Sequence, residues 1–183
     1  DTDIPDRIRD GYGLNRHLIE RAAAEGIDTI VTCYNGIAAV EEIAYGKEMG
    51  LTILVTDHHE VPFLETGDGK TYRIPPADAV VNPKQPGCPY PYKNRGGAAV
   101  AYKLVEALYE ATGHDADDVD YLMENVAIAT VGDIMELTGE NRIFVRQGLE
   151  MLKRTKNPGL RALMERTGVP AGRLNTYHIG FVL

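Results

Sequence analysis

Apolar residues in the first half of the chain alternate between helical and strand-like spacing. Residues 13–26 and 37–50 place apolar side chains three or four positions apart and each ends on a glycine, which predicts two amphipathic helices. Residues 28–36, 51–56 and 77–82 are short apolar runs, which predict buried strands. Strands and helices in this order form the βαβ units of a parallel sheet.

The second half of the chain is predicted to be helical. Residues 60–76 form an excursion with a turn at residues 68–70, and the four prolines within residues 82–95 are too many for an interior strand or helix. The predicted fold class is α/β: a parallel sheet with flanking helices over about residues 1–95, then a helical portion over about residues 96–183. Helical spacing predicts five helices there, at residues 96–112, 118–132, 140–154, 158–167 and 173–182.

Two of the predicted strands end in polar residues, in the segments TIVTCYN and TILVTDHH. Because carboxyl ends of parallel strands meet at one edge of a sheet, where α/β folds bind ligands, we expect these tips to be neighbours. The second tip carries Asp57, His58 and His59, and imidazole with carboxylate suits manganese, zinc or iron. A solvated turn that contains histidines is the alternative explanation.

Asp133 is the first acidic residue after the apolar run of residues 126–132. An acid at the end of such a helix is costly unless it is paired, caps the helix or binds a metal. The alternative is a frayed helix end. Glu140, further along, is predicted to face solvent.

Two glycine-containing segments are candidate contacts for a phosphate. Gly96 and Gly97 begin a predicted helix beside Arg95, and free N–H groups at a helix start favour an anion. Packing alone also explains a glycine pair there. Tyr12 lies between two glycines before the first helix, in either a tight loop or a loop that stacks on a base or faces a phosphate.

Composition excludes several classes of protein. The formal charge of −8 gives no general reason for nucleic-acid binding, so a polyanion would need a local basic patch or metal ions. Cys33 and Cys88 are too few for a disulfide framework, which favours a reducing, cytoplasmic location. The chain contains no serine, which excludes Ser-His-Asp catalysis, and it has no apolar run of membrane-spanning length, so no membrane partner is expected.

Five ordered segments of the chain carry a resemblance to a known family: IPDRIRDGYGLN, VTCYNGIAAVEEI, ILVTDHHEVP, ADAVVNPKQPGCPYPYKNRGGAAVAYKL and IATVGDIMELTGENR. Together they resemble the DHH phosphoesterase superfamily, and within it the RecJ-type exonucleases. The resemblance implies hydrolysis of single-stranded DNA from its 5′ end by Mn²⁺ or Mg²⁺, in DNA repair and recombination. It also implies single-strand-binding protein and other repair proteins as candidate partners.

The resemblance also assigns roles to individual residues. His58 resembles a metal ligand and Asp133 the late carboxylate ligand of the family. Asp57 resembles a supporting acid, and His59 a residue that faces metal or phosphate, so all four are implied to be catalytic. Residues implied to contact DNA phosphate are His59, Arg95, Gly96 and Gly97.

The chain departs from the family pattern in two places. Where the family has T-x-D-x-G-I, with an aspartate that contacts both metals, Tyr34 stands instead. A phenol with a pKa near 10 is a poor bridging ligand at neutral pH. The family's DxDxDG motif and its second, DNA-binding domain are expected to lie outside residues 1–183, which would then be a partial DHH domain with little or no activity alone.

Two other functions remain open at this point. A degenerate DHH domain that serves as a binding or scaffold subunit is favoured by Tyr34. A DHH hydrolase of short oligonucleotides, cyclic dinucleotides or pyrophosphate is the second alternative. Preference for mononucleotide-sized substrates over long single strands would distinguish it.

Overall fold

The computed structural model describes residues 1–6, 8–67 and 69–183, which divide into two compact units. The first unit covers Asp1–Lys93 and the second covers Asn94–Leu183. The predicted change from an α/β half to a helical half is confirmed, and it falls at the boundary of the units.

The first unit is an α/β unit built around a parallel sheet. Its elements are α1 (Arg16–Ala24), β1 (Thr29–Cys33), α2 (Val40–Glu48), β2 (Thr52–Thr56), β3 (Phe63–Thr66), β4 (Gly69–Tyr72) and β5 (Ala79–Val81). The parallel sheet has three strands in the order β1-β2-β5. Cys33 at the end of β1 pairs with Thr56 at the end of β2, which in turn pairs with Val81 of β5.

The helices of the first unit are shorter than their apolar spacing predicts, because capping and turn residues take the ends. The side chain of Asn15 accepts a hydrogen bond from the Leu18 N–H and begins α1. Gly36, with φ of 110°, turns the chain after β1, and α2 begins only at Val40. The core between helices and sheet consists of Ile19, Ile43, Leu51, Ile53 and Val55.

The excursion at residues 60–76 contains an antiparallel hairpin that apolar spacing does not predict. Phe63 of β3 pairs with Tyr72 of β4, and every residue of both strands is exposed. The turn expected at residues 68–70 includes Asp68, which lies outside the described residues.

The second unit consists of helices around two apolar clusters, and two of the predicted helices are divided. Residues 118–132 separate into a 3₁₀ helix, Ala116–Leu122, and α4, Met123–Gly132. Residues 173–182 separate into a 3₁₀ turn, Ala171–Arg173, and α7, Thr176–Phe181, which Asn175 caps. The other helices are α3 (Gly97–Ala111), α5 (Gly139–Leu152) and α6 (Pro158–Thr167).

Each cluster of the second unit packs several helices together, and at Gly148 the backbone of α5 lies close to Ala127 and Met123 of α4. Across the described part of the chain, no helix is both long and apolar enough to cross a membrane. The cluster members are Ala99, Tyr102, Val119, Met123, Val126 and Phe144 in one, and Leu152, Met164, Val169, Leu174 and Ile179 in the other.

Candidate metal and catalytic site

The tips of β1 and β2 are neighbours, as the sequence predicts. The N–H of Tyr34 donates to the Thr56 carbonyl at 3.0 Å, so the ladder continues for one residue past β1. The N–H of Asp57 donates to the Val81 carbonyl at 3.0 Å, which ties the same edge to β5. Polar residues from both tips therefore gather at the carboxyl edge of the sheet, where α/β folds hold ligands.

Asp57 is the organising residue of this edge. Its side chain is buried, and Oδ2 accepts a hydrogen bond from the Ile37 N–H at 2.9 Å. Oδ1 accepts from the N–H groups of His58 at 2.7 Å and His59 at 3.1 Å, and lies 2.6 Å from Nδ1 of the His59 ring. With four donors around it, the carboxylate orients the two histidines and joins the turn before α2 to the end of β2.

The contact with Asp57 places a proton on one nitrogen of His59. A carboxylate only accepts hydrogen bonds, so Nδ1 of His59 donates to Asp57. The hydroxyl of Tyr12 lies 3.1 Å from Nε2, the other nitrogen of the ring. Tyr12 reaches this point from a loop in which Gly11 and Gly13 both have φ near 80°. The loop between residues 11 and 13 is thus part of the site rather than a simple connection.

Three possible ligand side chains converge at the tip of β2. Ligand atoms of Asp57, His58 and His59 all lie within 4.8 Å of one another, with the first two residues buried. Two imidazoles and a carboxylate suit a divalent transition metal, so these residues fit such an ion. Because Asp57 already accepts four hydrogen bonds, the histidine nitrogens are the better ligands and Asp57 supports them.

Cys33 lies at the end of β1, beside this cluster, and its thiol has a raised pKa. Desolvation raises the pKa of its thiol, and the charge of Asp57 adds to that increase. A hydrogen bond with Thr56 acts in the opposite direction and is the smaller effect.

Tyr34 occupies the β1 tip in an unfavourable backbone conformation. Its φ is 72°, in the left-handed region where Gly, Asn and Asp are favoured and a bulky residue is strained. Its ring centroid lies 4.6 Å from that of His58 and 6.1 Å from that of His59. The backbone at position 34 therefore suits an aspartate better than a tyrosine, which apolar spacing along the sequence does not reveal.

The remaining candidate residues belong to the second unit. Asp133 is the exposed C-cap of α4, and its N–H donates to the Ala129 carbonyl at 2.9 Å. Gly96 is the N-cap of α3 and Gly97 its first residue. The structure thus groups Asp57, His58 and His59 with Tyr12 and Tyr34, and places Arg95, Gly96, Gly97 and Asp133 in the other unit.

Arg95 is held by a partner that the sequence does not indicate. The side chain is buried, its guanidinium pairs with Glu140, and it lies 5.8 Å from the Phe144 ring centroid. Glu140 is half-buried, so the prediction that it faces solvent is wrong. Glu140 lies 45 residues after Arg95, and no local pattern reveals a pair at that separation.

Comparison with known proteins finds a matching family model and several similar sequences. The N-terminal domain model of the DHH family matches residues 1–131. Single-stranded-DNA-specific exonuclease RecJ of Bacillus subtilis is 40% identical over 98% of this chain, and the protein of that name from Dickeya dadantii is 35% identical over 98%. The chain spans 21% and 31% of the length of these two curated relatives.

Two solved structures have the same fold as this chain. A crystal structure of exonuclease RecJ bound to manganese superposes with a TM-score of 0.80 at 30% identity, over 98% of this chain and 42% of that one. RecJ from Thermus thermophilus in complex with Mn²⁺ superposes with a TM-score of 0.70, also at 30% identity, over 90% of this chain and 23% of that one.

Proposed function

This chain belongs to the DHH family, and from that premise we propose that it is part of a metal-dependent exonuclease that degrades single-stranded DNA from the 5′ end. The observation that carries the proposal is the convergence of Asp57, His58 and His59 at the β2 tip. The names of the Bacillus and Dickeya relatives support the substrate class. We take residues 1–183 as a portion of a DHH domain, with an α/β part and a helical part.

We propose Mn²⁺ or Mg²⁺ as the cofactor, supported by the manganese in the two similar structures. The proposed metal ligands are His58 and Asp133. A bound divalent ion would polarise the phosphodiester and make a hydroxide available at neutral pH. Asp57 holds His58 and His59 in position for this chemistry through its hydrogen bonds.

We further propose that His59, Gly96, Gly97 and Arg95 contact the DNA substrate. The Nε2 face of His59, now covered by the Tyr12 hydroxyl, is proposed to meet a phosphate. The first N–H groups of α3, at Gly96 and Gly97, are proposed to meet another. Arg95 adds positive charge beside them, although its pairing with Glu140 directs its guanidinium into the second unit. A cytoplasmic location, and single-strand-binding protein and repair proteins as partners, belong to the same proposal.

Tyr34 favours a second function, that of a binding or scaffold subunit without catalysis. The residue places a phenol where the family pattern has a carboxylate, and its ring packs on the proposed ligand His58. The backbone conformation of Tyr34, with φ of 72°, instead favours descent from an active enzyme, because an aspartate adopts this conformation more easily than a tyrosine. We therefore propose an exonuclease whose activity is weakened at one position.

A nuclease assay tests the proposal. A 5′-phosphorylated single strand labelled at its 3′ end is incubated with Mn²⁺, Mg²⁺ or chelator, and with the unmodified chain, Tyr34→Asp, or Tyr34→Asp combined with His58→Ala. We expect very slow degradation by the unmodified chain, faster metal-dependent degradation by Tyr34→Asp, and loss of that gain in the double variant. Cleavage of short or cyclic dinucleotides alone would support the small-substrate hydrolase. Absence of both cleavage and metal binding would support the scaffold.

A further inference from the structure

Ile134 is in a conformation that an isoleucine rarely adopts. Its φ is 54°, and it shares a positive φ with only one other non-glycine residue among those the structure describes, Tyr34. A β-branched side chain in the left-handed region is a genuine outlier. The Ile134 side chain is also 91% exposed, so it gains almost no packing energy that would offset the strain of its backbone.

The conformation itself has a clear origin in the end of α4. The Met135 N–H donates to the Thr130 carbonyl and the Ile134 N–H to the Val131 carbonyl, both at 3.1 Å. These two bonds form a Schellman motif, in which the residue at the position of Ile134 is usually glycine. A glycine would close α4 with the same bonds and without strain, so the isoleucine side chain has no role in ending the helix.

The preceding residue is also unfavourable for the fold. Asp133 places a carboxylate at the C-cap of α4, where the helix dipole favours positive charge. Asp133 and Ile134, two consecutive residues at the exposed end of α4, therefore both reduce the stability of the fold. Strained or unfavourable residues of this kind cluster at functional sites.

We propose that Ile134 is a substrate-contacting residue, whose side chain packs on the deoxyribose and base of the nucleotide beside the metal ion that Asp133 is proposed to hold. The inference rests on the proposed function. An apolar nucleotide surface fits because the side chain offers no hydrogen-bond donor or acceptor, and it extends from the residue after a proposed metal ligand. For the same reason the contact reads no base identity, which suits an enzyme that degrades any single strand.

Methyl NMR detects this contact directly, even when binding is weak. The Ile δ1 methyl groups are labelled, the Ile134 signal is assigned with Ile134→Val, and a 5′-phosphorylated oligo-dT is added with Mg²⁺. We expect the Ile134 methyl to shift and the methyl of Ile143, a 56% exposed residue on α5, to stay in place. Oligo-dA should give a shift at the same methyl.

A pair of variants tests the trade-off between stability and binding. Ile134→Gly should raise the urea midpoint of unfolding and weaken oligonucleotide affinity by at least about fivefold, since an apolar contact is lost. Ile134→Val keeps both the strain and the contact, and its affinity should stay within about twofold of the unmodified chain. Ile143→Ala is the matched exposed control and should leave the affinity unchanged.

The outcomes separate this inference from the proposed function. If other methyl groups shift with DNA but Ile134 does not, and Ile134→Gly binds normally, the inference fails while the proposed function stands. If no signal responds to DNA, the proposed function fails and the inference with it. A shift of Ile134 on dilution without DNA would identify a second copy of the chain as the partner and overturn the inference. A lower urea midpoint for Ile134→Gly would also overturn it.

Discussion

The ring of Tyr34 packs on the imidazole of His58 with 4.6 Å between centroids, and it does so from a left-handed backbone conformation. Tyr34 and His58 lie just after the ends of the neighbouring parallel strands β1 and β2, so the contact joins the two strand tips. His58 is a proposed metal ligand. Tyr34 is favoured neither by its left-handed backbone conformation nor by a divalent metal, which would bind a carboxylate better than a phenol.

The left-handed backbone at position 34 should determine which substitutions there destabilise the fold. Tyr34→Gly and Tyr34→Ala both remove the ring, but only Gly accepts φ of 72° without strain. We expect the Gly variant to be more stable than the Ala variant by about 1 kcal/mol, the reverse of their usual order. Urea unfolding followed by circular dichroism measures the difference. Equal stabilities, or a more stable Ala variant, would show that this residue is not left-handed in solution.

Asp57 should contribute to the stability of the fold as well as to the site. Asp57→Ala leaves the buried N–H groups that the carboxylate satisfies without an acceptor, and we expect a loss of about 3 kcal/mol or more in the free energy of unfolding. Glu60→Gln, a nearby change at an exposed side chain that pairs with Lys84, should cost less than about 1 kcal/mol. Similar losses for both variants would contradict the role assigned to Asp57.

The close approach of α4 and α5 depends on a glycine. A Cβ added at Gly148 would lie 2.4 Å from the Ala127 Cβ and 2.5 Å from the Met123 carbonyl oxygen. Gly148→Ala should therefore destabilise the second unit by about 1–3 kcal/mol. Gly132→Ala is the control, because a Cβ there meets nothing within 4 Å. Thermal unfolding should show a lower midpoint for the first variant and an unchanged or higher midpoint for the second.

The connection between α2 and β5 should weaken in acid. The hydrogen bond from the Lys47 ammonium, followed by that from the Ile53 N–H, lowers the pKa of Asp78. A carboxyl with a lower pKa in the folded state stabilises the fold above its ordinary pKa of about 4, and that contribution disappears as the pH falls through the lower folded value. Asp78→Asn should therefore flatten the acid limb of the stability profile.

The control for this profile is Glu110→Gln, at an exposed position of α3. The free energy of unfolding is measured against pH from about 2 to 6, the range in which carboxyl groups titrate. An Asp78→Asn profile as steep as that of the unmodified chain would contradict the contribution of Asp78. The Glu110→Gln profile should match the unmodified one.

The sequence predicts helices and strands whose buried side chains recur at a regular spacing. It does not predict elements that lack such a buried face. The spacing of Ile19, Ile43 and Ile53 predicts α1, α2 and β2, because each element has one buried face. The β3–β4 hairpin has no buried face and therefore leaves no periodic signal. The helix predicted at residues 118–132 divides because its first turns adopt 3₁₀ geometry, which the spacing of apolar residues does not distinguish.

The candidate site likewise has features that the sequence predicts and features that only the structure shows. Polar residues directly after an apolar run predict the cluster at the β2 tip, and the structure brings those side chains together. The bond from Ile37 to Asp57 joins main chain to side chain across 20 residues, so no local pattern encodes it. The φ of Tyr34 is likewise a property of the folded backbone, and only the structure shows that this position suits an aspartate.

We propose that the β1 and β2 tips form one wall of a metal site that lacks a carboxylate at position 34. Calorimetric titration of Mn²⁺ into the unmodified chain, Tyr34→Asp and Tyr34→Asn tests it most directly, because Asn fits the left-handed backbone but adds no charge. We predict that Tyr34→Asp tightens manganese binding at least about tenfold, a gain of roughly 1.4 kcal/mol, and that Tyr34→Asn does not. Equal manganese affinity for the Asp and Asn variants would contradict it.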